Sequence, residues 1–300
     1  MPCDSRLVGT TLGPFECEVD QFLTMAYAAG LGDANPRYTD SLAAGGRLIA
    51  HPVFAVCLAL KAMGQMDRLL VEAGLTHQES IRRVHATQDM IFHRLISPPE
   101  KLFVSTCLCG MERRTPGTYV VTRYDVVDAN GAPVCTIHWG RIFRSVEMTG
   151  SDRSAGEIPQ APAPCRWDGA PRANFAVPIP ATAAIVYTAC ARAGNPVNFH
   201  TDTVEAKRSG LPAPILMGVA TLAMSVSRIV DTEAGGDPER VARVYGRFGA
   251  MIFMPSQVTI RVMTGESHSD GGQVFFETIN SEGGRAIREG VVTLRPWCNT

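Results

Sequence analysis

The sequence has no excess of charge of either sign and no long apolar run. Its 28 basic residues against 29 acidic ones give a formal net charge of −1. Such a balance provides no long-range field that would gather polyanions, which disfavours a nucleic-acid-binding protein. No run of about 18 apolar residues is present to span a bilayer. The first residues lack the basic start and apolar stretch of a signal peptide, which predicts a cytoplasmic protein without a membrane partner.

The motifs of several enzyme classes are missing. There is no G-x-S-x-G elbow, no G-x-x-x-x-G-K loop, no H-E-x-x-H and no G-x-G-x-x-G. These absences disfavour α/β-type serine hydrolases, nucleotide hydrolases, zinc proteases and nicotinamide dehydrogenases. The nine cysteines form no C-x-x-C and no Cys/His cluster with zinc spacing, so we expect free thiols in a reducing compartment and no bound metal.

A segment rich in proline and glycine divides the chain near its midpoint. Residues 149–172 have almost no apolar periodicity, which predicts a semi-rigid linker with neither helix nor strand. The interpretation is an N-terminal repeat over residues 1–148 and a C-terminal repeat over residues 173–300.

The two halves carry the same residue types in the same order: a tyrosine, an Asn-Pro pair, a Thr-Asp pair and a proline. These are Tyr27, Asn35-Pro36, Thr39-Asp40 and Pro52 in the first half, and Tyr187, Asn195-Pro196, Thr201-Asp202 and Pro214 in the second. The offset is 160 residues up to the Asn-Pro pair and 162 after it. Several spacings in one order indicate a duplicated unit.

Each half continues with one apolar helix and a run of strands. Long stretches rich in Ala, Leu and Met begin at Val53 and Ile215, and each proline before them is expected in the first helical turn. Strand-like segments follow, with hairpin turns predicted at Asn130-Gly131 and Gly283-Gly284. A sheet wrapped around a central helix is an α+β architecture, and two such sheets can pair edge to edge.

The residues around these landmarks resemble a known family. DANPRYTD in the first half, and GNPVNFHTD with APILMG in the second, resemble the MaoC-like, (R)-specific type-2 enoyl-CoA hydratases and dehydratases. The resemblance implies a double hotdog, two hotdog repeats in one chain. It also implies that an Asp and a His act together on water, while a glycine N–H binds the oxygen of a CoA or carrier-protein thioester. No metal or redox cofactor is implied.

Neither half carries the family's full set of residues. By position, the first half keeps Asp33 and Asn35 but has Tyr38 where the family has the histidine. Its next segment, IAHPVF, lacks the glycine. The resemblance therefore implies that the first repeat is a degenerate site on the acyl-chain side.

The second half has the opposite defect and is the candidate active site. It keeps Asn195, His200 and Gly218, but Ala193 stands at the aspartate position and Met217 replaces a second histidine. Because a neutral histidine can serve as a base near pH 7, His200 is the first catalytic candidate. The alternative is a loop histidine left from a lost site.

Two further catalytic candidates have structural alternatives. Asn195 would orient substrate or water, but Asn-Pro is also a turn-forming dipeptide. Asp33 would act only in a composite site, in which it meets His200 of the other half. An Asx turn or a helix cap is the favoured interpretation for Asp33.

Four residues are predicted to bind substrate. The N–H of Gly218, near the start of the second helix, would bind the thioester oxygen. Tyr187 and Asn198 lie in or beside the repeated motif, although Asn198 is more typical of a solvent-facing loop. Met217 would shape an acyl pocket or pack in the core.

These observations predict a lyase that adds or removes water at an α,β-unsaturated or β-hydroxy acyl thioester in a biosynthetic pathway. A catalytically silent acyl-binding hotdog, or a non-catalytic subunit of a hydratase, is the alternative from another class. An isomerase or a thioesterase on the same fold is a lesser alternative. The small-molecule acyl substrate would be the main partner, and the double hotdog could form a homodimer.

Overall fold

A computed structural model describes residues 3–163, 169–192, 197–263 and 271–297. The helices are α1 (Gln21–Gly30), α2 (Pro36–Thr39), α3 (Ala55–Glu72), α4 (His77–Ser80), α5 (Ala183–Ala191), α6 (Thr203–Arg208) and α7 (Gly218–Glu233), with 3-10 turns at Ser5–Leu7, Pro52–Phe54 and Pro238–Arg240. The strands are β1 (Cys3–Asp4), β2 (Thr11–Val19), β3 (Arg83–Phe92), β4 (Glu100–Arg114), β5 (Gly117–Asp128), β6 (Pro133–Arg144), β7 (Met148–Thr149), β8 (Arg153–Ser154), β9 (Ala173–Ile179), β10 (Val241–Phe248), β11 (Ser256–Val262), β12 (Gly272–Ile279) and β13 (Arg285–Leu294).

The strands of the two repeats follow the same order across one continuous antiparallel sheet. The first repeat runs β2-β4-β5-β6-β3, and the second, from its outer edge, runs β9-β11-β12-β13-β10. The two halves join where β3 pairs with β10, with Asp89 opposite Tyr245. The predicted α+β double hotdog with sheets paired edge to edge is confirmed, and the pairing removes one exposed edge from each repeat.

The two predicted hairpin turns are present. Gly131 and Gly283 have φ of 80° and 81°, a left-handed conformation that glycine adopts without a steric penalty. The Asp128 N–H donates to the carbonyl of Ala132, and the Asn280 N–H donates to that of Gly284. Both segments therefore form the hairpin turns that their sequences predict.

The two central helices begin differently. A 3-10 turn over Pro52–Phe54 leads directly into α3, as the proline predicts. The second helix starts at Gly218, so the expectation that Pro214 lies in its first turn is wrong. Ile215 instead forms a bridge with Phe253, and this extended pairing delays the helix by three residues.

The predicted linker does contain short strands, so the expectation that residues 149–172 form none is wrong. Thr149 ends β7, which pairs with β1. In β8, Ser154 and Arg153 pair with Gly110 and Met111 of β4. A proline- and glycine-rich segment can pair over two residues when the neighbouring sheet offers a free edge.

One apolar core runs through both repeats, and equivalent residues meet at their junction. The hydroxyls of Tyr27 and Tyr187, which are 160 residues apart, lie 3.3 Å from each other, and both side chains are almost fully buried. The seven cysteines in the described ranges are free thiols, as predicted. No helix in these ranges is long and apolar enough to cross a membrane.

Candidate functional site

The loop that carries His200 is shaped by its own side chains. The Oδ1 atom of Asn198 accepts the backbone N–H of His200 at 2.8 Å. Directly after the loop, Asp202 caps α6, where its carboxylate accepts the N–H groups of Val204 and Glu205. These local bonds are the turn and cap chemistry of Asn and Asp. They place Asn198 as the residue that shapes the loop, and its predicted contact with substrate stays a prediction.

The ring of His200 is oriented by a backbone carbonyl. Its Nδ1 lies 2.8 Å from the carbonyl oxygen of Ile215. Because a carbonyl only accepts, Nδ1 carries the proton and Nε2 keeps the lone pair of the neutral ring. Burial lowers the pKa of His200 to about 4, against the opposing effect of the Ile215 hydrogen bond. The ring is therefore neutral near pH 7, with Nε2 able to accept a proton.

Gly218 opens α7, three residues after Ile215, whose carbonyl contacts His200. The first N–H groups of a helix have no acceptor within the helix and lie at its positive end. Just before the helix, the N–H of Leu216 donates to the carbonyl of Ile252 at 2.8 Å, and Ile215 forms a bridge with Phe253. His200 thus contacts the segment that leads into α7, and the catalytic roles of His200 and Gly218 stay predictions. Met217, 8% exposed, packs in the apolar core.

Gly218 is also required by packing. A Cβ at this position would lie 2.8 Å from Cδ1 of Phe248, closer than side chains tolerate. Phe248 cannot easily move, because its ring centre lies 4.3 Å from that of His85. We therefore expect Gly218→Ala to lower the free energy of unfolding by about 1–3 kcal/mol, the cost of overpacking a core. Urea unfolding at neutral pH measures this.

The other central helix offers a matched control. Gly64 lies on the exposed side of α3, and a Cβ there would meet nothing within 4 Å. Gly64→Ala is expected to raise stability by up to about 1 kcal/mol through helix propensity alone. The double variant Gly218→Ala/Phe248→Leu should recover part of the loss. Equal stability of Gly218→Ala and the native chain would contradict the packing argument.

A second buried polar cluster lies in the first repeat. One carboxylate oxygen of Asp33 accepts the N–H of Asn35 at 2.9 Å, which confirms the expected Asx turn. Asn35 then caps α2, and its amide donates to the carbonyl of Gly236 in the second repeat. The other oxygen of Asp33 is buried, has no hydrogen-bond partner in the described ranges and lies 3.9 Å from Nε2 of His51.

His51 is a site residue that the sequence analysis missed. Its Nδ1 accepts the N–H of Val53 at 3.1 Å, so Nε2 carries the proton and faces Ser227 at 3.2 Å. Burial lowers the pKa of His51 to about 4, although Asp33 acts in the opposite direction. Its only sequence signal is a histidine directly before Pro52, in the segment corresponding to the second repeat's APILMG.

The histidine of the first-repeat cluster has no free lone pair. The lone pair of His51 is already used by Val53, and the buried hydroxyl of Tyr38 has a pKa raised well above its usual value, mainly by burial. The hydrogen bonds from Asn35 to Gly236 and between His51 and Ser227 connect the two repeats. The arrangement joins the repeats, and the second carboxylate oxygen of Asp33 is the acceptor in it that has no hydrogen-bond partner within the described residues.

The remaining predicted residues are distributed as follows. Asn195 lies outside the described residues. Tyr187 is 1% exposed and its hydroxyl is used by Tyr27, so its predicted role in binding substrate stays a prediction. Within the described ranges no hydrogen bond or ion pair joins Asp33 to His200, and the composite site stays a prediction without a supporting contact.

An open cleft of about 530 Å³ lies between residues 32–37 and the C-terminal end of α7. Asp231 lines it, and burial together with the nearby Asp33 raises the pKa of its carboxyl. His200 and Gly218 do not line this cleft, which is therefore separate from the second-repeat site. The described residues contain no group of three or more side chains arranged to hold a metal ion.

Comparison with known proteins finds relatives of the first repeat and of the whole fold. Residues 6–137 match the family model described as FAS1-like, dehydratase domain region. A curated relative, the peroxisomal enoyl-CoA hydratase 2 of Arabidopsis thaliana, is 32% identical over 97 residues. That match covers 32% of this chain and 30% of the relative, so the chain spans less than a third of it.

Solved structures match over almost the whole chain. A MaoC-like dehydratase from Phytophthora capsici superimposes with a TM-score of 0.80 at 21% identity, covering 97% of this chain and 96% of that one. A Mycobacterium tuberculosis protein with a double hotdog fold gives 0.63 at 15% identity, covering 96% of each chain. These likenesses establish the fold. The resemblance seen in the sequence is confirmed: the chain has the double hotdog fold of a MaoC-like dehydratase, and its residues 6–137 match a dehydratase-region family model.

Proposed function

We propose that this MaoC-like chain adds water to, or removes it from, an acyl thioester at the second-repeat site. The substrate would be an α,β-unsaturated or β-hydroxy acyl group carried on coenzyme A or a carrier protein. The observation that carries the proposal is the hydrogen bond between Nδ1 of His200 and the carbonyl of Ile215. This bond leaves Nε2 as the basic nitrogen of a neutral imidazole whose ring contacts Ile215, three residues before α7.

In the hydration direction, Nε2 of His200 takes a proton from water while the water oxygen bonds to the β-carbon of the enoyl group. The carbon–carbon π electrons move to the thioester, whose oxygen becomes an enolate. The N–H of Gly218 donates to that oxygen at the positive end of the helix. The proton on His200 then passes to the α-carbon and restores the neutral ring.

The first repeat has the supporting role in this proposal. Its buried Asn35 and His51 tie the repeats together, while its sheet and α3 offer the surface for the acyl chain. Asn195, next to the loop of His200 in sequence, would orient water or substrate. The reaction needs no metal or redox cofactor, because the thioester carbonyl itself acidifies the α-carbon.

The missing aspartate at the family's position determines the rate of hydration that we expect. Ala193 stands at the family's aspartate position, so the imidazolium formed during the reaction lacks the carboxylate that would stabilise it. A carboxylate partner supports proton transfer by the base. General acid–base catalysis typically raises the reaction rate by about 10²–10⁴-fold. We therefore expect slower hydration than a complete Asp/His pair would give.

The test is hydration of crotonyl and longer enoyl-CoA thioesters by the purified chain, followed as loss of the enoyl absorbance. Product analysis should find the β-hydroxyacyl thioester, and the reverse reaction should return the enoyl form. The proposal expects a rate above the buffer background for at least one chain length. Binding of these thioesters with no turnover at any chain length would overturn it, and would favour the catalytically silent acyl-binding alternative.

A further inference from the structure

The outward sides of α1 and α5 are apolar. Neither helix contains a charged residue, whereas α3, α6 and α7 each carry several. Phe22 is 73% exposed, Ile185 51% and Val186 42%, and Ala29 and Ala189 are exposed as well. A helix at a protein surface normally turns charged or polar side chains outward. An apolar outward side therefore indicates a surface that a partner covers.

These exposed side chains lie on one side of each helix. Phe22 and Ala29 are seven residues apart, which is two helical turns, and Ala189 follows Ile185 by four residues and Val186 by three. Residues at these spacings share a helix face. We call these five residues the paired-helix patch.

The two helices pack against each other, so the patch is continuous. A Cβ at Gly30 would lie 2.9 Å from both Cβ and Sγ of Cys190, and 3.8 Å from a methyl group of Val186. Val186 is itself exposed, which places this contact at the surface of the molecule. In the core, the hydroxyls of Tyr27 and Tyr187 join the same two helices. The patch therefore extends the interface between the repeats outward.

The patch shares the two-fold character of the chain. Ala29 and Ala189 are 160 residues apart, the offset that relates the first motifs of the two repeats, and both are exposed. In an interface between two identical copies related by a two-fold axis, each residue meets the same patch on the other copy. A charged side chain in such a patch could face its own like charge. An uncharged apolar patch is complementary to itself.

The absence of charge disfavours other kinds of partner. An acidic carrier protein or a phosphate-bearing surface would be recognised by arginine or lysine, and neither residue type occurs in α1 or α5. Each helix is about 15 Å long and 10 Å across, so the pair presents an outline of roughly 300 Å². Stable interfaces bury about 800 Å² per partner, with an apolar centre and a polar rim. The patch has the size of such a centre.

We propose that the paired-helix patch is the surface through which two copies of this chain form a dimer. Helices α1 and α5 of one copy pack on α1 and α5 of the other, and the polar segments around them form the rim. This gives the homodimer that the sequence left open a definite interface. The inference does not depend on the proposed function, because dimer formation needs no substrate.

Sedimentation equilibrium of the full chain over a range of concentrations tests the proposal. The native chain should sediment with twice the mass of one chain. Ala189→Arg places a charge in the apolar interface, where a like or unpaired charge costs several kcal/mol, so the dissociation constant should rise about tenfold or more. Phe22→Ser, which removes the ring of the patch, should also weaken the dimer. Because both positions are exposed, urea unfolding should show that the variants stay folded.

The matched control is Gln78→Arg. Gln78 is exposed in α4, which packs beside α3 and β6, so the same added charge should leave the dissociation constant unchanged. A mixture supplies the complementary test. Chains with Ala189→Arg, mixed with chains that carry Ala29→Glu or Ala189→Glu, should recover a mixed dimer through opposite charges.

Three results would overturn the proposal. One is a native chain that stays monomeric at every concentration. Another is a dimer that persists unchanged in both Ala189→Arg and Phe22→Ser, because its interface would then lie elsewhere. The third is a monomeric native chain that sediments with phosphatidylcholine vesicles while Ala189→Arg does not, because the patch would then contact lipid in place of a second copy.

Discussion

Replacing His200 by asparagine is expected to lower kcat/KM for enoyl thioester hydration by about 10²–10⁴-fold, the usual contribution of a general base. The asparagine amide can still donate to the carbonyl of Ile215, as Nδ1 does at 2.8 Å, so the loop should keep its position. The substitution therefore removes the lone pair of Nε2 and changes little else in the loop. Initial rates on one enoyl-CoA thioester, together with unfolding curves, separate loss of chemistry from loss of fold.

The pH profile of the native chain gives an independent check. A general base acts in its unprotonated form, so the rate falls as pH drops through the pKa of the base. Burial lowers the pKa of His200 to about 4, which moves the acid limb of kcat/KM well below the ordinary histidine value of about 6.5. A profile that already declines near pH 6.5 would contradict a buried, neutral His200 as the base.

Two control variants locate the chemistry. His77→Asn changes an exposed histidine at the start of α4 and should leave the rate unchanged. Asp33→Asn tests the composite site. Because Asp33 faces His51 and has no bond to His200 in the described ranges, its loss should reduce kcat/KM far less than the loss of His200. A comparable loss in both variants would favour a composite pair.

The duplicated architecture was predictable because it rests on local signals repeated at a fixed offset. Turn residues, an Asn-Pro pair and an apolar helix recur in each half, and each is specified within about 20 residues of chain. The outer strands were not predicted. β2 contains Pro14 and exposes Glu16 and Glu18, and β9 contains Pro178. A proline argues against a strand in isolation but is tolerated at a sheet edge, and only the assembled sheet shows where that edge is.

The candidate site was partly predictable for the same reason. His200 and Gly218 stand in short motifs, and the cap at Asp202 follows from its position before α6. His51 was missed because its partner Ser227 is 176 residues away, and no spacing rule reports such a contact. The start of α7 was misplaced because the bridge from Ile215 to Phe253 is also a tertiary pairing that overrides local helix propensity.

Acidification from pH 7 to pH 5 is expected to destabilise the fold strongly, and His51 carries the main effect. It is 1% exposed, and burial lowers its pKa to about 4. In the unfolded chain the same group titrates near 6.5. Between these values the unfolded state binds a proton that the folded state does not, so stability falls as pH falls through this window. Near pH 4 this effect is complete, and the free energy of unfolding has then fallen by about 3 kcal/mol because of His51.

Other titratable groups change the size of this loss of stability at low pH but do not reverse it. His85 and His200 also have pKa values lowered by burial, to about 3 and about 4, and they act in the same direction, although both are partly exposed. Asp231 acts in the opposite direction. Its pKa is raised by burial and by Asp33, so its folded form binds protons more readily than its unfolded form. The total free energy of unfolding of a protein is only about 5–15 kcal/mol, so the effect of the histidines is a large fraction of it.

Urea unfolding at intervals from pH 7.5 to pH 5 measures this slope for the native chain and for His51→Asn. Asparagine can still accept the N–H of Val53 as a cap, but it does not titrate. The variant should therefore lose less stability per pH unit than the native chain, by up to about 1.4 kcal/mol. His77→Asn, which changes an exposed side chain at the start of α4, should keep the native slope. If native and His51→Asn slopes coincide, His51 is protonated equally when folded and unfolded, and its burial between the repeats does not govern acid stability.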